Sequence, residues 1–198
     1  MKRKNFIWLA GVSALSAAGL GFRARGMASE PVRIQPALLY FKDDGRIPNS
    51  KYPLLLYRNA FAERDDKGAE WLEQEFASHN WTNTWRWGIY TFHHYHSNTH
   101  EVLGVFKGSG LLHLGGENGQ KVTVQAGDII VIPAGVGHKC ISSDGLTVVG
   151  AYPNGLSPDL NRGEPGERPG TDKNIAAVSF PATDPLLGQT EGLRKLWK

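Results

Sequence analysis

The pattern of hydrophobic and polar positions changes several times along the chain. Asn5 to Phe22 is an uncharged stretch rich in Ala, Leu, Gly and Ser. Residues 36–41 and 53–58 are short apolar runs, parted by the turn-formers Asp43-Asp44-Gly45 and Pro48-Asn49-Ser50, and both read as strands. Between Asp66 and His79 the period becomes helical: Ala69, Leu72 and Phe76 share one face, and Glu70, Glu73 and Glu75 take exposed positions. One helix is predicted there, with Asp65 or Asp66 as its cap. From Trp87 onward short strands follow one another, over 87–96, 101–107, 110–115, 121–125, 128–132, 137–142 and 146–152. Gly108-Ser109-Gly110, Asn118-Gly119, Ala126-Gly127-Asp128, Pro133-Ala134-Gly135 and Asp144-Gly145 separate most of them. Asn118-Gly119 is the strongest hairpin signal, because a tight primed turn needs positive φ at both central residues. Such spacing predicts an all-β sandwich or barrel rather than βαβ units. The stretch from Pro153 to Lys198 has six prolines and no clear period, and is expected to wrap the domain as an irregular tail with room for one short helix.

Composition narrows this picture. A chain of 198 residues, 40% hydrophobic, can bury a sizeable core as one domain. The single cysteine, Cys140, excludes an intramolecular disulfide and any cysteine-based zinc knuckle. The formal charge is +3, but Lys2, Arg3, Lys4, Arg23 and Arg25 all fall within residues 1–28, which hold no acid. Without them 17 basic residues face 19 acidic ones, so nothing resembles a nucleic-acid-binding stripe. The basic start, the apolar stretch and the small residues of Gly26-Met27-Ala28-Ser29 have the layout of a bacterial export signal cut after Ala28. As a retained membrane anchor the stretch is short and broken by Gly11, Gly19 and Gly21. Arg3-Lys4-Asn5-Phe6-Ile7 resembles a twin-arginine signal with Lys in second place, which implies export of an already folded protein. The expectation is a signal over 1–28 and a mature domain over 29–198, periplasmic or secreted, with no stable membrane insertion once the signal is removed.

Four of the seven histidines lie between positions 93 and 100. In a strand, His94 and His96 share a face and His93 takes the other. Their backbones then stand about 7 Å apart, close enough for both imidazoles to converge on one ion. Glu101 can add an oxygen once the chain turns through Ser97-Asn98-Thr99. His138 stands alone downstream of the turn at Pro133. His79, His93 and His113 read as structural or exposed.

These residues carry a resemblance. Gly88-x5-His94-x-His96-x4-Glu101-x6-Gly108 matches the first cupin motif, and Gly127-x5-Pro133-x-Gly135-x2-His138 matches the second. The Asn that often closes the second motif is Ser142 here, a position that holds no metal in the family. The stretch from Phe92 to Val105 is similar to the YjlB-type cupins. The resemblance implies a single cupin double-stranded β-helix, or jelly-roll barrel, with motifs at 88–108 and 127–142 and the helix of residues 66–79 flanking it. It implies that His94, His96, Glu101 and His138 are the ligands of one divalent transition metal, whether iron, manganese, nickel or zinc. On a regular strand Tyr90 and Phe92 share the inward face with those histidines, and Cys140 shares parity with His138. All three are candidate pocket-lining residues, though Cys140 also suits a small buried apolar position. His100, beside Glu101, should point away from the ion.

Three imidazoles and a carboxylate leave coordination positions open, and the lack of thiolates disfavours a closed structural zinc site. The leading expectation is a metal-dependent oxidoreductase, dioxygenase-like, acting on a small organic molecule. The alternatives are a non-redox metal-dependent isomerase or hydrolase, and a non-catalytic cupin that binds a small molecule or sugar. No catalytic proton donor stands out. The aromatic run Trp81, Trp85, Trp87, Tyr90, Phe92 and Tyr95 reads chiefly as packing, with a sugar platform as the alternative. A homodimer through the strands before residue 87 fits the resemblance.

Overall fold

The structure, a computed structural model, describes residues 34–198. The proposed leader therefore lies outside the described residues. Chain order is β1 (Ala37–Leu39), β2 (Leu54–Tyr57), α1 (Asp65–Ser78), β3 (Trp81–Trp87), β4 (Glu101–Leu114), β5 (Gln120–Gln125), β6 (Ile129–Ile132), β7 (His138–Pro153), α2 (Gly170–Ala177) and α3 (Leu193–Leu196). The strands pair antiparallel in the order β1-β2-β6-β4-β7-β3, with β5 against β4. This is a β-dominated, cupin-like fold with flanking helices.

Strand runs without polar alternation arise because the sheet is buried on both faces. Leu55, Tyr57, Val102, Ile129, Val131, Val149 and Ala151 point to one core, which α1 covers with Ala69, Leu72 and Phe76. Leu54, Leu56, Leu103, Val105, Ile130, Ile132 and Val148 point to the other. The helix sits close because Gly104 has no side chain: a Cβ there would lie 2.4 Å from Leu72 Cδ2. Its N-cap is Arg64, with no side-chain cap bond, so Asp65 and Asp66 serve in the first turn, where they complement the helix dipole.

Several expectations change. The pairs of strands predicted at 101–107 with 110–115, and at 137–142 with 146–152, are each one long strand, bent by register shifts between β4 and β7 at Val105/Lys107, Ser109/Gly110 and Leu111/Leu112. The β4–β5 hairpin forms, but its positive φ angles fall at Gly115 and Gly116 rather than Asn118-Gly119. The strand predicted at 87–96 is absent; β3 ends at Trp87, and residues 88–100 carry only isolated bridges. The tail is not merely irregular. It contains α2 and α3, and it seals the first core with Leu193 and Trp197. Trp197 Nε1 donates to the Pro53 carbonyl at 2.8 Å, and buried Asp184 accepts from the Tyr57 hydroxyl and the Leu193 amide, both at 2.8 Å.

Candidate metal centre

Glu101 opens β4 and His138 opens β7, so the sheet ladder sets their positions. The turn before His138 depends on Gly135, whose φ is +90° and where a Cβ would lie 2.5 Å from the Asn49 carbonyl oxygen. His94 and His96 arrive on non-strand backbone. The amide of His94 donates to the His138 carbonyl at 3.2 Å, and the His138 amide donates back at 2.9 Å, which ties the upstream and downstream segments directly. The Gly135 amide donates to the His96 carbonyl at 2.8 Å. On the outer side, Tyr95 and Asn161 exchange backbone bonds of 2.9 and 3.0 Å. Locally extended backbone thus sends His94 and His96 inward and Tyr95 toward the tail.

One ring nitrogen each of His94, His96 and His138 lies within 4.8 Å of the others, and all three side chains are buried. Glu101 Oε2 stands 3.3 Å from His138 Nε2 and 3.6 Å from His96 Nε2. The Nδ1 atoms meet backbone carbonyls instead: His94 that of Phe92 at 3.4 Å, His96 that of Asp159 at 2.5 Å, and His138 that of Val136 at 3.1 Å. A carbonyl only accepts, so each Nδ1 carries a proton and donates outward, and each ring turns its Nε2 toward the cluster. Glu101 Oε1 accepts from the Tyr152 hydroxyl at 3.0 Å, and that hydroxyl accepts from Trp85 Nε1 at 2.9 Å. Glu101 Oε2 is buried without a hydrogen bond.

Electrostatics follow from this packing. Burial, reinforced by the imidazoles of His138 and His96, lowers the His94 pKa to about 2. Burial also opposes a charge on His96, but the Glu101 carboxylate outweighs it and the pKa is raised. Burial works against ionisation of Glu101, yet His96 and His138 hold it well below the usual carboxylate range. Burial and then the Glu101 charge push the Tyr152 hydroxyl upward.

These features meet the needs of a divalent ion. Donors held about 2.1 Å from one ion stand about 3.0–3.5 Å from each other, close to the two Glu101 distances. An orphaned carboxylate oxygen facing imidazoles with fixed tautomers is the expected arrangement of ligands braced by outer partners. The buried three-histidine, one-glutamate cluster forms a divalent-metal site of the cupin type.

The cluster floors a cavity of about 600 Å³ walled by Trp85, Trp87, Tyr90, Leu103, Tyr152 and Leu160, among others. Tyr90 lies at this cavity, 45% exposed. Phe92 stacks on Tyr90 at 4.8 Å but lines a neighbouring cleft. Cys140 is buried in the second core and does not line the cavity. His100 is buried away from the cluster, where it accepts from the Ala134 amide and lies 4.9 Å from the Trp197 ring. Tyr152, Asp159 and Trp85 are the supporting residues that sequence reasoning missed. Trp85 was hidden by a bulge at Thr82/Trp85, with Asn83 at φ +57°, which sends Trp81 to one core and Trp85 to the other face.

Residues 88–149 match the cupin domain. Acireductone dioxygenase from Bacillus anthracis, with a cadmium ion in its active center, is 17% identical and aligns over 54% of this chain and 82% of that one, at a TM-score of 0.37. A variant of the oxalate decarboxylase of Bacillus subtilis is 18% identical over 58% of this chain and 29% of that one, at a TM-score of 0.34. The uncharacterized protein YjlB of Bacillus subtilis (strain 168) is 43% identical over 160 residues, which cover 80% of this chain and 94% of YjlB. The chain is a single-domain, metal-binding member of the cupin superfamily and belongs with YjlB.

Proposed function

We propose that His94, His96 and His138, through Nε2, and Glu101, through Oε2, ligate one transition metal, and that the protein is a dioxygenase-like oxidoreductase acting on a small organic molecule. The observation that carries this reading is that the cavity's charged side chains and the Tyr152 hydroxyl are already occupied. Arg86 is bound bidentately by Glu73, Asp159 accepts from the Ser97 amide and hydroxyl, and Tyr152 donates to Glu101. Side chains already committed to holding their neighbours leave the chemistry to the ion. A bound iron supplies redox capacity and an open coordination position. The residues do the rest. Trp85, Trp87 and Tyr90 offer aromatic faces to an apolar substrate body, buried Leu103 excludes water, and Tyr152 keeps Glu101 Oε2 turned toward the imidazoles.

Titration of the anaerobic ferrous protein with nitric oxide tests this. A high-spin nitrosyl signal in electron paramagnetic resonance is expected, and failure to form any adduct would overturn the reading. Turnover of the zinc-loaded protein equal to that of the iron-loaded protein would favour isomerase or hydrolase chemistry instead. A second reading, a metal-held ligand without turnover, rests on the 72% exposure of Trp87 beside Tyr90, faces suited to stacking a sugar.

We also infer that the strands close into a double-stranded β-helix, a reading supported by burial on both faces of the sheet. The basic and apolar layout of residues 1–28 supports export. Terminal sequencing of protein recovered from the periplasm should begin at Ser29, and a retained Met1 would count against cleavage.

A further inference from the structure

A second group of metal-capable side chains lies outside the cupin centre. His93 faces a different cleft from its neighbour His94, a space of about 380 Å³ that Glu117 and Lys139 also line. One ring nitrogen each of His93 and His113 and one carboxylate oxygen of Glu117 lie within 4.8 Å of one another. The two rings are 4.9 Å apart, and His93 Nε2 is 3.4 Å from Glu117 Oε1. Two donors about 2.1 Å from a tetrahedral ion stand about 3.4 Å apart. A separate observation points the same way. The His93 side chain is only 10% exposed, and neither of its ring nitrogens makes a hydrogen bond. Buried polar atoms in native proteins are nearly always satisfied, so a ring with both nitrogens orphaned calls for a partner.

We propose that His93, His113 and Glu117 form a second divalent-metal site, distinct from the cupin centre. Two imidazoles and one carboxylate select a borderline ion of the zinc, nickel or copper class over magnesium or calcium. The residues come from the loop before β4, the end of β4 and the β4–β5 turn, so the fold assembles the group. Glu117 is 71% exposed and gives an ion a route in from solvent. Lys139 Nζ holds the same Glu117 Oε1 at 2.7 Å, and an arriving cation must displace it. Arg46 and Arg162 line the same cleft but are matched there by Asp44 and Glu164, so it is the competing Lys139 contact that makes this site weaker than the cupin centre. His93 adjoins His94 and Lys139 adjoins His138, so the two sites share two stretches of backbone.

Zinc binding to the metal-stripped full chain, read as ions per chain by mass spectrometry and as affinity by calorimetry, tests the proposal. The wild-type protein should take two ions, the second more weakly than the first. Glu117→Gln, on an exposed turn where folding is not at stake, and His113→Gln should each return the count to one. His96→Ala should lose the tight ion and keep the weak one, so failure of the cupin-centre assignment would be seen separately. Lys139→Gln should tighten the weak ion about tenfold. A wild-type count of one, a count of two that survives both Glu117→Gln and His113→Gln, or a weak-ion affinity unchanged or reduced by Lys139→Gln would overturn it.

Discussion

The two halves of the cupin cluster reach the same point by different means. Glu101 and His138 are the first residues of long strands, and a ladder running from Val102↔Ala151 to Leu114↔His138 locks them in place. His94 and His96 stand on backbone with no ladder of its own. They are held by the bridge to His138 and by residues of the C-terminal tail, with Asp159 accepting from His96 and Asn161 pairing with Tyr95. A site built this way is rigid on the sheet side and depends on the other side on residues such as Asp159, 63 positions beyond His96. A metal motif thus specifies which residues meet, while the means of holding them lies far outside it.

The largest effect that tests this contrast is ligand removal. His96→Ala and His138→Ala should each weaken zinc or iron binding by at least about 100-fold while circular dichroism still reports a folded sheet. Equal metal content in either variant would contradict the cluster. Next, Gly135→Ala on the sheet side forces a side chain into φ +90° against the Asn49 carbonyl, and should lower stability by about 2 kcal/mol in urea unfolding. On the tail side, Asp159→Ala releases the Ser97 amide and hydroxyl and should weaken metal binding about tenfold, a cost borne by the site more than by the fold. If Asp159→Ala unfolded the protein as readily as Gly135→Ala, the contrast would fail.

The smallest effect concerns the Glu73–Arg86 pair that ties α1 to β3 at the rim of the cavity. The Arg86 guanidinium, hydrogen-bonded to Glu73, lowers that carboxyl's pKa. A depressed folded-state pKa contributes stability above the unfolded pKa and loses it as pH falls through the folded one. Glu73→Gln should therefore cost about 0.5 kcal/mol at neutral pH. Paired thermal melts should show the gap to wild type closing in acid, and a gap that widened there would reverse the assigned sign.

Much of the sheet was legible because burial on two faces writes itself as unbroken apolar runs. Leu54 to Tyr57 and Ile129 to Ile132 read directly as β2 and β6, and Ala69, Leu72 and Phe76 marked α1 to within a residue or two. The cluster was legible through the resemblance to the two cupin motifs, which alone joined His138 to His94, His96 and Glu101. Residues 88–96 were misread as strand because tertiary bonds to the tail replace the ladder, and His94, Tyr95 and His96 are all buried, which erases alternation. The tail was underestimated for the same reason: Asp184 and Trp197 do their work through distant partners that no local period announces. Tyr152 and Asp159 are set beside the histidine–glutamate cluster by the fold alone.

One hydrogen-bonded chain makes the buried charge visible from outside. Because the Trp85 indole donates to Tyr152, and Tyr152 donates to Glu101, any cation that neutralises the carboxylate also changes the field felt by that indole. The protein carries six tryptophans, yet Trp85 alone is wired to the glutamate in this way among the described residues. Its ultraviolet emission should shift as the centre fills, so the chain contains its own optical gauge of metal loading.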